Sequence, residues 1–202
     1  MALAKKLPVK YLLLALCFLL LYPLKAQNLD SLFYAILKKH KTDTAKIRAI
    51  EALALQCLDA QENDKAIAYA RQGVALANGT HTLKNKGNFL HYMGRAYQAL
   101  TDFTQSLHYY QQAFMVREGI SDSVGMAKTL ANMGNVYKET AEYSKALDME
   151  LKSLKICEKI GLEATLNNVL NSLGVIYQAT GDYEKALEYY ERNLAYEKKM
   201  NN

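Results

Sequence analysis

Apolar positions along this chain recur at helical spacing over most of its length. Leu90, Met93, Gly94 and Tyr97 form a stripe that returns as Leu130, Met133, Gly134 and Tyr137, and again as Leu170, Leu173, Gly174 and Tyr177. Spacing of three and four residues is that of a one-faced helix, not of an alternating strand. A second stripe, Tyr183, Leu187, Tyr190 and Leu194, follows the polar turn Thr180-Gly181-Asp182. Each unit therefore reads as a helical hairpin.

The units keep a strict period of forty residues. Phe103, Tyr143 and Tyr183 fall in phase, as do Leu107, Leu147 and Leu187, and Ser106, Ala146 and Ala186. One step back lies a looser first copy with Ala54, Cys57, Asn63, Ala66 and Ile67. Four units fill about 41–80, 81–120, 121–160 and 161–200. A glycine inside a helix costs about 1 kcal/mol relative to alanine, so its recurrence implies close approach of the second helix. The aromatic residue after each turn is expected to fill space between layers, because one hairpin cannot bury two apolar faces alone.

These residues carry a resemblance to the tetratricopeptide repeat (TPR) family. Leu173-Gly174-x-x-Tyr177 followed by Gly181-Asp182-Tyr183-Glu184-Lys185-Ala186-Leu187 follows the family pattern, as do Met133-Gly134-x-x-Tyr137 with Tyr143-x-x-Ala146-Leu147 and Met93-Gly94-x-x-Tyr97 with Phe103. The resemblance implies an all-α, right-handed α-solenoid of four hairpins, working as a protein-binding module. Two departures stand out: the period is forty residues against about 34, and no unit ends in proline. The added length is expected in longer helices and looser connections such as Glu118-Gly119-Ile120-Ser121-Asp122. In this the chain is similar to long TPR variants of cargo and polarity adaptors. HEAT and armadillo repeats share the length but not the glycine and tyrosine phasing.

The N-terminal residues follow a different logic. Lys5, Lys6 and Lys10 precede an apolar run from Tyr11 to Tyr22, and Leu24-Lys25-Ala26 ends in a small residue before Gln27. That order is a secretory signal peptide over 1–26, cleaved after Ala26. Twelve residues make a helix of roughly 18 Å against about 30 Å of hydrocarbon, too short for a good permanent span. An uncleaved anchor is the alternative, and acylation at Cys17 a weaker one. Export to a bacterial periplasm follows, with no membrane attachment after cleavage. Over 27–40, Leu29, Leu32, Phe33, Ile36 and Leu37 form an amphipathic capping helix with Asp30 as N-cap, leaving 41–202 as the repeat domain.

Charge adds little. The net charge of +5 owes most to Lys5, Lys6, Lys10 and Lys25, in a stretch without any acid, so nothing points to nucleic acid. Cys57 and Cys157 stand in apolar helical settings and read as buried thiols. No phosphate loop, dinucleotide fingerprint, zinc-binding H-E-x-x-H or nucleophile elbow occurs. His40, His81, His91 and His108 lack metal-ligand spacing and read as solvated. The reading is of a non-enzyme without cofactor or metal. Asn78-Gly79-Thr80 fits both an interhelix turn and a glycosylation acceptor, the turn being the simpler reading.

The binding surface follows from helix angle. At about 100° per residue, the positions six and two before each glycine and one and five after it face the hollow of the stack. In the first unit these are Arg48, Ala52, Leu55 and Asp59; in the others they include Asn88, Tyr92, Arg95, Lys128, Asn132, Asn135, Glu139, Asn168 and Ser172, flanked by His91, Gln98, Lys138, Asn171 and Gln178. Asparagine disfavours helix interiors, and its amide offers donor and acceptor to a peptide backbone, while Arg95 and Lys128 suit a carboxylate. The candidate peptide-binding residues are Asn88, His91, Tyr92, Arg95, Gln98, Lys128, Asn132, Asn135, Lys138, Asn168, Asn171 and Ser172. The strip does not reproduce the family's carboxylate clamp. Helix 183–200 carries a second stripe, Ala186, Tyr189 and Tyr196, expected to meet a second copy or a partner protein. The alternative function is an extracytoplasmic sensor or input module, similar to those of TPR-containing histidine kinases and transcription regulators.

Overall fold

The computed structural model describes residues 43–79 and 82–200, together with Ser31 and Ala35. The expected signal peptide over 1–26 with Cys17, most of the capping helix, His40, His81 and Thr80 lie outside the described residues; Ser31 and Ala35 are both helical. The chain divides into two units, 1–41 and 42–202. Among its described residues the second unit holds eight helices and no strand: α1 (Asp43–Asp59), α2 (Asn63–Gly79), α3 (Leu83–Ala99), α4 (Phe103–Gly119), α5 (Ser123–Glu139), α6 (Tyr143–Ile160), α7 (Glu163–Ala179) and α8 (Tyr183–Met200).

A helix begins every twenty residues, and six connections, all but that between α2 and α3, are alike. Backbone N–H groups of Glu62, Asp102, Asp122, Glu142, Leu162 and Asp182 each donate to the carbonyl five residues back, at 2.8–3.0 Å. The residue just before each of these has positive φ: Gln61, Thr101, Ser121, Ala141, Gly161 and Gly181. This left-handed residue closes one helix, satisfying carbonyls that would otherwise be orphaned. The aspartates at the end of the turn open the next helix: Asp102 accepts from the Gln105 N–H at 3.0 Å and Asp122 from the Gly125 N–H at 3.1 Å. The looser connection expected at 118–122 does not form. Helix α4 runs through Gly119, and the added length of each unit lies in helices of 17 or 18 residues.

The phased glycines are where the two helices of a hairpin meet. A Cβ on Gly94 would stand 2.5 Å from the Tyr110 ring, on Gly134 2.7 Å from the Glu150 side chain, and on Gly174 2.5 Å from the Tyr190 ring. Between hairpins, Leu154 of α6 packs with Val169, Leu170 and Leu173 of α7, and Leu147 lies against the same cluster. Phe103 and Leu107 pack on Tyr110, Met133 and Val136, as expected of the aromatic after the turn. Cys57 and Cys157 are buried thiols that are not joined in a disulfide.

Odd-numbered helices touch the next odd-numbered helix, α1 to α3, α3 to α5 and α5 to α7, whereas no two even-numbered helices touch. The odd helices therefore crowd together on the inside of the curve, and the even ones spread outside. On α8 the open face differs from the expected one. Ala186 is buried and Tyr189 stacks on Tyr177 with centroids 5.5 Å apart; the exposed apolar side chains are Tyr183, Leu187 and Leu194. Counting from the buried stripe places Tyr183, Leu187 and Leu194 on the side that the next hairpin covers in earlier units.

Candidate functional site: the inner groove

Helices α3, α5 and α7 bring most of the expected strip together. A hollow of about 500 Å³ is lined by His91 and Arg95 of α3, by Lys128, Asn132, Asn135 and Lys138 of α5, and by Thr165, Asn168, Asn171 and Ser172 of α7. A second hollow, about 460 Å³, continues towards α1 past Asn88, Tyr92 and Leu55, and shares His91, Arg95 and Lys128 with the first. Gln98 lines neither: it donates to Glu139 at 2.8 Å and accepts from the Tyr110 hydroxyl at 3.1 Å.

The strip sorts into satisfied and open groups. Glu51 of α1 accepts hydrogen bonds from Asn85 (2.9 Å), Asn88 (2.8 Å) and Tyr92 (3.2 Å), so the α1 end is closed on itself. Burial first, then Glu51, raises the Tyr92 phenol well above its ordinary pKa. In the larger hollow, by contrast, Arg95, Lys128, Asn168 and Asn171 have no hydrogen-bond or ion-pair partner among the described residues. Lys138 donates to Asn135 Oδ1 at 2.8 Å and to the Ser172 hydroxyl at 3.4 Å.

His91 is not solvated as its polar neighbours suggest; it is 7% exposed. Burial, followed by the charges of Arg117, Arg95 and Lys128, holds its pKa well below the usual imidazole value, so the ring is neutral. Arg117 Nη1 lies 3.2 Å from Nδ1, and arginine can only donate. Nδ1 therefore accepts, and the ring proton sits on Nε2, 3.2 Å from the Asn132 amide. A ring N–H at that position calls for the carbonyl oxygen of the Asn132 amide as its acceptor, in place of the amide nitrogen that stands there.

Arg117, from the last turn of α4, is the residue that sequence reading missed here. It is 4% exposed, donates to Asn88 Oδ1 (3.1 Å), Gly125 O (2.9 Å) and the Thr129 hydroxyl, and lies 3.9 Å from Asp122. Burial lowers its pKa, opposed by Asp122 and then Tyr92. Gly87 and Gly125 leave the room: a Cβ on either would meet the Arg117 side chain, at 3.2 and 2.6 Å. Repeat phase held the signal, since the equivalent positions are the fully buried Ala77 and Cys157. Glu150 is a second such case. It occupies the slot of Tyr110 and Tyr190, is fully buried, and neither carboxyl oxygen has a hydrogen-bond partner. Burial pushes its pKa up to about 8 against the opposing pull of Ser172 and Lys138. Among the described residues no group of three or more His, Cys, Asp or Glu is placed to hold a metal.

Comparison with known proteins places this geometry. Residues 85–159 match a family model described as Tetratricopeptide repeat, and 168–199 match a second model of the same description. No curated protein matches the chain. Among solved structures it is similar to BtubC (BKLC) from P. vanneervenii, at 17% identity and a TM-score of 0.75 over 86% of this chain and 72% of that one. A Rap protein complexed with Competence and Sporulation Factor gives 16% identity and 0.73 over 79% of this chain and 45% of its own. The STAND protein PH0952 from Pyrococcus horikoshii, which carries a tetratricopeptide repeat sensor, gives 17% identity and 0.69 over 78% of this chain and 25% of its own. At these identities the likeness establishes the solenoid fold.

Proposed function

From a chain whose residues 85–159 and 168–199 are tetratricopeptide repeats, we propose a module that binds a peptide or protein segment along its inner groove and performs no catalysis. The observation that carries this is the hollow between α3, α5 and α7, where two cations and two amides stand unpaired among the described residues. Unpaired amides can be satisfied by an extended backbone, and the helices that carry them are packed before binding, which limits the backbone ordering that binding costs. A similar Rap solenoid complexed with a factor supports the reading.

The finer reading is a long, forty-residue TPR variant, exported to a bacterial periplasm after removal of 1–26, with the α8 edge meeting a second copy or a partner. Crosslinked pull-down from the envelope fraction tests the groove. The double variant Arg95→Glu with Asn132→Ala is expected to lose the wild-type partner, and unchanged recovery of every partner would refute the groove. Mass of the mature chain tests export: it should begin at Gln27.

A second reading is a sensor or input module of a signalling system. The tetratricopeptide repeat sensor of the STAND protein favours it. Functional coupling to an encoded kinase or transporter, abolished by the same groove variant, separates it from a free-standing binder.

A further inference from the structure

Two of the hairpins share a lock that the third does not have. The Tyr110 hydroxyl donates to Gln98 at 3.1 Å and the Tyr190 hydroxyl to Gln178 at 3.0 Å. Each joins the second helix of a hairpin to the first across twelve residues. At the matching places the third hairpin carries Lys138 and Glu150. Contacts with Gly134 put Glu150 in the same slot as the two tyrosines.

No hydrogen bond closes this pair. Both Glu150 oxygens stay buried and unpartnered, and Lys138 turns to Asn135 and Ser172 on the wall of the larger hollow. Leaving a buried carboxyl unpartnered costs stability, so the substitution is not a packing improvement. It has one gain: a lysine enters the hollow where the second and fourth hairpins tie down a glutamine. Arg95 and Lys128 line the same hollow, and no carboxylate does.

We infer that the third hairpin trades its lock for a cation, and that the hollow between α3, α5 and α7 takes an acidic side chain of the docked segment, held by Lys138 together with Arg95 and Lys128. This rests on the groove reading and gives it a partner chemistry. Asn132, Asn168 and Asn171 are left for the backbone beside that side chain. A carboxylate held by ammonium and guanidinium groups gains charge-assisted hydrogen bonds and offsets the positive charge that lines the hollow.

A thermodynamic cycle tests it. Peptides are selected from a random displayed library on the wild-type protein, and their affinities compared with those for the lock-restoring variant Lys138→Gln with Glu150→Tyr. Replacing the shared Asp or Glu of a selected peptide by Gln should weaken wild-type binding about tenfold and binding to the variant less than about twofold. The variant should melt at or above the wild-type temperature, which separates loss of the subsite from loss of fold; a lower melting point would overturn the assignment of the slot. Selected peptides without an acidic position, or an equal penalty on both proteins, would overturn the inference and leave the groove standing. Recovery indifferent to Asn132→Ala and Asn168→Ala would overturn the groove itself.

Discussion

Glu150 makes the stability of this protein depend on pH. Its folded pKa is raised to about 8 by burial, so the folded state keeps a proton that an unfolded carboxyl has already lost at neutral pH. Ser172 from α7 and the charge of Lys138 from α5 oppose this without overcoming it, and Cys157 on the same helix feels the Glu150 charge. By linkage, the stability held below the ordinary carboxyl pKa falls as pH rises towards 8 and is gone above it. Urea unfolding at pH 5, 7 and 9 should show the wild type losing on the order of a few kcal/mol relative to Glu150→Gln, which carries no such proton; parallel profiles would mean the carboxyl is solvated. Arg117 gives a second residue-scale test. Arg117→Met removes donors to Asn88, Gly125 and Thr129 and should cost about 2–4 kcal/mol. His91 should then titrate higher than in the wild type, because the charge next to burial among the causes of its depression is gone; its ring resonances across a pH series report this.

At the scale of the helix, the repeated turn sets measurable costs. Ala141 and Gly181 hold the same left-handed conformation, with φ of 58° and 81°. Gly181→Ala should destabilise by about 1 kcal/mol, and Ala141→Gly should stabilise by a smaller amount; thermal melts of the two variants check the opposite signs. The pair Leu154 and Leu194 separates burial from sequence, since they share a repeat position but are 6% and 51% exposed. Leu154→Ala should cost about 2–4 kcal/mol and Leu194→Ala well under about 1 kcal/mol. Helix identity and phase were legible because Gly94, Gly134 and Gly174 and their following tyrosines repeat without slippage. The connection at 118–122 was misjudged because Gly119 suggests a break, whereas Ser121 takes the left-handed position that ends the helix.

Across the whole repeat stack, the groove was legible as a direction and not as a state of bonding. Helical angle put Asn132, Asn135, Asn168 and Lys128 on one wall, where the structure has them. It did not show that Glu51 consumes Asn88 and Tyr92, which depends on a contact between units, or that Arg117 reaches from α4 to Asn88, which depends on a residue type that the other units lack at that position. Residues out of phase with their repeat, Arg117 and Glu150, mark where the stack is specialised.

Because the junctions that end at Glu142 and Asp182 are the same short turn, the molecule has a natural unit of excision. Deleting residues 143–182 would splice Glu142 to Tyr183 and bring Tyr190 opposite Gly134, sixteen positions along, in the seat Glu150 vacates. Such a miniature should retain helical circular dichroism and one cooperative melt, while its groove, shorn of α7, keeps only the walls that α3 and α5 supply. Length in this architecture behaves as a quantised variable, adjustable in whole steps without inventing a new seam.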